Sequence, residues 1–205
     1  MAYSQVGVVN LALDELGIPA ISAMTEASDA AILANRIWEY ARDQVLEDGD
    51  WNFAKATAKL VQDAVYAAAP TDPAWLYRYT KPSSCLKIIG LFDSDNIDIG
   101  PYWYDAAAKG YVEETDYIYT NFDNTSTDLY VRYTTIITDV TKYKPSLINS
   151  LKLKLMAMMC RKLAPMFSAD AIEQKYLYSL MNATGKNQAQ DYIEGDKGNT
   201  DWLDR

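Results

Sequence analysis

The sequence predicts an α+β fold: an antiparallel four-helix bundle with a small antiparallel β sheet or open barrel lobe inserted between its second and third helices. Three observations predict it. Apolar residues recur three and four apart before Asp48 and again from Pro145 to Ala183, the spacing that lines one face of a helix. The intervening stretch is rich in Tyr, Ile, Val and Thr, which suit a pleated sheet. Its short apolar runs are separated by Asp93-Ser94-Asp95-Asn96, Gly100-Pro101 and Asp123-Asn124-Thr125-Ser126, all of turn composition. The expected division is 1–60 for the first half of the bundle, 61–140 for the β lobe, 141–186 for the second half and 187–205 for a polar C-terminal tail.

The first helix carries Val6, Val9, Leu13 and Leu16 on one side. Ser4 suits its N-cap, and Gly17-Ile18-Pro19 stops it, with Gly17 free to take the left-handed cap and Ile18 able to fold back on Leu13. The second helix starts at Thr25 or Ser28 and carries Ala27, Ala31, Ala34, Trp38, Ala41 and Val45, small residues that let another helix approach closely. It runs without a proline into Trp51-Asn52-Phe53, an aromatic pair separated by Asn.

Candidate strands are Cys85 to Leu91, Tyr102 to Tyr104, Gly110 to Glu113, Tyr117 to Asn121 and Leu129 to Thr135. Ala67 to Pro73 reads as a loop from its two prolines. Pro145 suits a first helical position, Leu147, Leu151, Leu155 and Met158 make an inner face, and Pro165 ends or kinks that helix. Ser168 caps a fourth helix with Ile172, Tyr176, Leu180 and Ala183 on one side, and polar residues dominate from Gly185 on.

Charge and residue usage exclude several chemistries. A formal charge of -9 argues against a broad nucleic-acid grip, which needs Lys and Arg to neutralise phosphates. The chain has no His, which removes Ser-His-Asp and Cys-His nucleophiles and His-rich zinc sites. Cys85 and Cys160 are the only thiols and read as reduced core residues. No apolar run reaches the roughly 20 residues of a membrane helix, and Met1 to Gln5 lacks a charged-then-apolar signal, so synthesis in the cytoplasm and no membrane partner are expected.

Carboxylate and hard-metal chemistry remain to be weighed. Asp93, Asp95 and Asp98 resemble the start of a calcium loop, but Ile97 stands where a third ligand belongs and Tyr104 where the bidentate Glu does. Glu113 with Glu114, or Glu47 with Asp48 and Asp50, would have to flank a glycosidic bond, whereas adjacent strand residues point to opposite faces. No catalytic residue, metal site or cofactor is therefore expected. Sixteen Tyr and five Trp suit core packing or a protein or sugar surface. Lys142, Lys144, Lys152 and Lys154 offer a solvated basic face, or a contact to phosphates or an acidic partner.

The order of several segments carries a resemblance. Asn10-Leu11-Ala12-Leu13 with Leu16-Gly17, Ala41-Arg42-Asp43, Trp51-Asn52-Phe53-Ala54, then Trp75, Tyr77, Tyr79 and Pro82, Cys85-Leu86-Lys87-Ile88-Ile89, Leu129-Tyr130-Val131-Arg132-Tyr133, Thr138-Asp139 and finally Trp202 together resemble the head-to-tail adaptor family of short-tailed bacteriophages, also called tail tubular protein A. Lys81 and Ser84 depart from the family, which more often has an apolar residue and an acid there, and the tail after Gly185 is shorter than many.

The resemblance implies a non-enzymatic structural virion protein, located in the tail at the portal vertex. Sibling copies, typically twelve, would form a ring between the portal protein and the tail nozzle protein, and genomic DNA would pass through its channel without sequence-specific binding. Within that reading Trp38, Arg42 and Asp43 are expected to pack between helices. Trp51, Asn52 and Phe53 are expected to join bundle to β lobe, and Trp202 with Leu203 to anchor the tail on the portal. The alternatives are a glycan- or protein-binding module and a cell-wall hydrolase.

Overall fold

The computed structural model describes residues 3–71, 74–93, 98–99, 110–122 and 128–196. The chain divides into two compact units, one formed by 1–53 with 137–205 and the other by 54–136. The helices are α1 (Gln5–Glu15), α2 (Asp29–Asp48), α3 (Ala64–Ala68), α4 (Pro145–Leu163) and α5 (Ala169–Asp196). The strands are β1 (Lys55–Lys59), β2 (Tyr77–Thr80), β3 (Cys85–Asp93), β4 (Asp98–Ile99), β5 (Tyr111–Glu114), β6 (Tyr117–Thr120) and β7 (Leu129–Thr135).

Local chemistry sets the helix ends. The Ser4 hydroxyl accepts from the Gly7 N–H at 3.0 Å, satisfying one of the orphan donors of the first turn. At the other end of α1, Gly17 takes φ +70°. Ile18 N–H reaches the Leu13 carbonyl at 3.0 Å and Gly17 N–H the Asp14 carbonyl at 3.1 Å, a paired closure that needs a residue tolerant of the left-handed region. The Asn10 amide then fixes the chain leaving α1: its Oδ1 accepts from Ile21 N–H at 2.9 Å and its Nδ2 donates to the Ile21 carbonyl at 3.0 Å. Ser28 caps α2, accepting from Ala31 N–H at 3.3 Å.

In the helical unit α4 is the element on which α1, α2 and α5 all pack. Because three helices surround it, α4 buries far more than one stripe: Leu147, Ile148, Leu151, Leu153, Leu155, Met156, Met159 and Cys160 are all buried. Truncating a fully buried leucine such as Leu151 would cost about 2–5 kcal/mol in lost transfer energy and cavity. Small residues on α2, Ala31, Ala34 and Ala41, are wholly buried and permit close helix approach.

The second unit holds two antiparallel sheets, one in the order β1-β7-β3-β4 and one in the order β2-β6-β5. β5 and β6 form a tight hairpin with Glu114 opposite Tyr117. Leu91, Leu129, Val131 and Tyr133 from the first sheet share one core with Tyr79 and Ile118 from the second, closed by Leu60 and Phe122. The Tyr79 hydroxyl avoids an unpaired burial by donating to the Phe122 carbonyl at 2.9 Å.

These findings correct the expected fold class. The protein is α+β with five helices among the described residues and two small antiparallel sheets, not a four-helix bundle carrying one inserted sheet or barrel. The helices gather on α4 rather than pairing evenly around a common axis. In the other unit β6 pairs with β2 and β5, and β7 with β1 and β3, so the strands segregate instead of forming one ladder. β1, with the sequence Lys-Ala-Thr-Ala-Lys, has none of the aromatic or large apolar residues that mark a strand, and the short helix α3, which was not expected, runs into the first two residues of the expected loop at Ala67 and Ala68. Tyr102 to Tyr104 lie outside the described residues, and α5 continues through Gly185.

Candidate functional site

Of the residues singled out in the sequence, Trp38, Arg42 and Trp51 are buried in the helical unit and Asp43, Asn52 and Phe53 are half-buried. Trp38 is buried on α2, and Arg42 beside it is also buried, its Nε donating to Asp43 Oδ1 at 2.7 Å. That carboxylate holds the guanidinium charged, raising a pKa that is already high. Tyr143 lies close enough to feel both charges; burial is the main reason its hydroxyl is pushed up to about 12. The hydroxyl donates to the Ile137 carbonyl at 2.8 Å.

Trp51 is buried, and its indole N–H donates to the Val45 carbonyl at 2.8 Å, meeting one of the last acceptors of α2. Gly49 makes this return possible, since a Cβ there would lie 2.2 Å from Trp51 Nε1. Phe53 packs at a tilt with its ring centroid 6.1 Å from that of Trp51, and Asn52 opens a single 3-10 turn to Ala54. Trp202 and Leu203 lie outside the described residues.

A different constellation lines a recess of the helical unit. α2 supplies Tyr40 and Gln44, α4 the floor of Ala157 and Met158 with Lys154 and Arg161, and α5 the far wall of Ala169, Asp170 and Glu173, around a cavity of about 380 Å³. Lys154 is buried, which for an ammonium demands a partner. It donates to Glu173 Oε1 at 2.8 Å and stands 4.7 Å from the centroid of the Tyr176 ring. Tyr176 in turn donates to Asp48 Oδ2 at 2.7 Å, linking α5 to the end of α2. Gln44 Oε1 is buried at the wall of this valley with no hydrogen-bond partner among the described residues.

Sequence reasoning missed this valley because its members come from three helices far apart in the chain. It also missed the outer face of α5. Ile172, Tyr176, Leu180 and Ala183 face inward, but Leu177, Tyr178 and Met181 stand on the opposite side at 51, 67 and 72 % exposure. The signal was present: Leu177 and Met181 are four apart and out of phase with the inner set.

The basic residues of α4 are engaged in ion pairs within the chain. Lys152 pairs with Glu15 of α1, Lys154 with Glu173 of α5, and Lys162 and Arg161 approach Asp29 of α2 and Asp170 of α5 at 4.0 Å. Among the carboxylate pairs, Glu113 is held by Lys81 at 2.8 Å. Asp95 of the acidic turn lies outside the described residues. Among the described residues no group of three or more His, Cys, Asp or Glu is placed to hold a metal ion, and no helix is long and apolar enough to cross a membrane.

No protein-family model matches this chain, and no curated protein is significantly similar to it.

Proposed function

We propose that the protein is a structural head-to-tail adaptor of a short-tailed bacteriophage virion, assembling as a ring of sibling copies between the portal protein and the tail nozzle protein. The observation that carries assembly is the outer face of α5, where Leu177, Tyr178 and Met181 form an apolar patch exposed in the single chain. The ordered segments from Asn10 to Trp202 are what direct the reading to the phage tail. The net charge of -9 suits a channel through which genomic DNA passes without being trapped, since like charge repels the phosphates. On this reading the chain performs no catalysis and its work is done by surfaces.

The test is to mix the purified protein with portal rings from a short-tailed phage and follow the mixture by native mass spectrometry and electron microscopy. A closed ring of sibling copies, typically twelve, seated on the portal is expected. A chain that stays monomeric and binds no portal would overturn the proposal.

A further inference from the structure

We infer that the groove between the start of α4 and the outer side of α5 is the seat of the chain's own acidic segment Asp201-Trp202-Leu203-Asp204. The inference stands apart from the ring reading; the portal anchoring expected of Trp202 and Leu203 would follow release from this seat. The groove has a volume of about 550 Å³. Pro145, Leu153, Ala183 and the ring of Tyr178 give it apolar walls, and the amides of Asn149 and Asn182 stand among them as hydrogen-bonding groups. That mixture suits an indole, which offers a broad apolar face and a single N–H donor. Tyr178 is 67 % exposed, so its ring has area left to bury. Leu177 and Met181 lie outside the lining and remain for contact between siblings.

Charge and reach choose the occupant. In a chain of net charge -9 no carboxylate lines this groove, whereas the valley between α2, α4 and α5 balances Lys154 with Glu173 and Arg161 with Asp170. Lys175 on the α5 wall and Lys144, immediately before Pro145, are exposed and form no ion pair among the described residues. α4 begins here with neither a side-chain cap nor an acid in its first turn, which leaves the partial positive charge of the helix end uncancelled. Asp201 and Asp204 bracket Trp202 and Leu203, so the segment brings carboxylates on either side of its apolar side chains. α5 ends at Asp196. At about 1.5 Å per residue Tyr178 lies roughly 27 Å back along the helix, and the chain from Asp196 to Asp204 spans about 28 Å when extended. The segment therefore has the length to fold back over its own subunit, with Trp202 beside Pro145 and Ala183 and Asp204 toward Lys175.

The experiment is proton–nitrogen correlation NMR on the full chain, for wild type, Trp202→Ala, Lys175→Glu, Asp204→Lys, and Lys175→Glu combined with Asp204→Lys, each with its thermal unfolding recorded. In wild type the Trp202 indole signal, identified by its loss in Trp202→Ala, is expected away from its position in a free synthetic peptide of residues 197–205. Trp202→Ala is expected to shift the amides of Asn149, Tyr178 and Asn182. Lys175→Glu and Asp204→Lys should each move the indole signal toward the free-peptide position, and the double reversal should bring it back.

Lys175 is exposed and the other changes lie in the segment itself, so unfolding temperatures close to wild type are expected. Should Lys175→Glu fail to fold, Trp202→Ala and Asp204→Lys still decide the matter. An indole signal at the free-peptide position in wild type, or groove amides indifferent to Trp202→Ala, overturns the docking. Reversals whose effects simply add overturn the charge match on which the seat was chosen. Shifts that vanish on dilution overturn the inference as well, because the segment then comes from another copy. None of these outcomes touches the ring reading, which falls only if no ring forms on a portal.

Discussion

Trp51 donates its indole N–H to the Val45 carbonyl at 2.8 Å, tying the aromatic segment that follows α2 back onto the last turn of that helix. The ring lies so close to Gly49 that any Cβ there would overlap it. Gly49 itself is in extended backbone that every residue adopts, so the requirement is for space rather than for an unusual φ. Gly49→Ala is therefore expected to destabilise by about 1–3 kcal/mol through displacement of the indole. In a Trp51→Leu background the same change should cost far less, and denaturant unfolding of the four proteins measures the coupling. Equal stability of Gly49→Ala and wild type would show that the indole has another place to go.

Asn10 clamps both the N–H and the carbonyl of Ile21. Asn10→Ala leaves two partly buried backbone groups without partners and should cost about 1–3 kcal/mol. Asn10→Asp retains the acceptor but aims a carboxylate at the Ile21 carbonyl, so it is not expected to rescue. Faster hydrogen exchange at the Ile21 amide in both variants is the local readout, and unchanged exchange would refute the clamp.

Asp63 caps α3, accepting from Val65 and Tyr66 N–H groups, and pairs with Arg78, whose Nε lies 3.1 Å from Oδ2. The Arg78 guanidinium, held between the Tyr66 and Tyr117 rings, lowers the Asp63 pKa first and the backbone donors lower it further. A carboxylate depressed in the folded state contributes stability that is present above its unfolded pKa of about 3.9 and is lost as pH falls through its lower folded pKa. Wild type should therefore lose denaturant resistance below about pH 4 more steeply than Asp63→Asn. Parallel acid limbs for the two proteins would exclude this role.

Cys85 is half-buried, and burial, with Glu113 nearby, pushes its thiol up to about 11. Cys160 is buried and its Sγ donates to the Ala157 carbonyl at 3.3 Å. The thiolate is the reactive form and is scarce at Cys85, while Cys160 is shut away from any reagent by burial, so at pH 8 both should react with a thiol reagent on the order of a hundredfold more slowly in the native protein than in denaturant. Rapid reaction of one thiol in the native state would contradict its placement.

Where a feature is written within a few residues of chain, it was legible. Ser4, Ser28, Pro145 and Ser168 mark helix starts by their own hydroxyls or ring, Gly17 marks a stop, and the alternation from Leu129 to Thr135 marks a strand. Their signals are short-range, because capping and periodicity act over one or two turns. The same reasoning overlooked β1, whose Lys55 to Lys59 segment becomes a strand by pairing with β7 more than seventy residues away. It also extended no helix through Gly185, because propensity alone favours a stop there.

Tertiary structure decided which of these elements meet. Lys154, expected on a solvated basic face, is buried against Glu173 and Tyr176 because α5 folds back over α4. Met158, expected on the inner face, becomes part of the floor of the valley instead. Gln44 carries no local signal at all; its carbonyl is left without a donor only once α2, α4 and α5 have packed around it. The sequence by itself determined the starts of the four long helices, the stop after α1, the strands β3, β5, β6 and β7 and the exclusion of histidine chemistry. Packing between residues far apart in the chain decided the two-sheet arrangement, the central place of α4 and the surface on which assembly is proposed, because burial is a property of neighbours that no local pattern names.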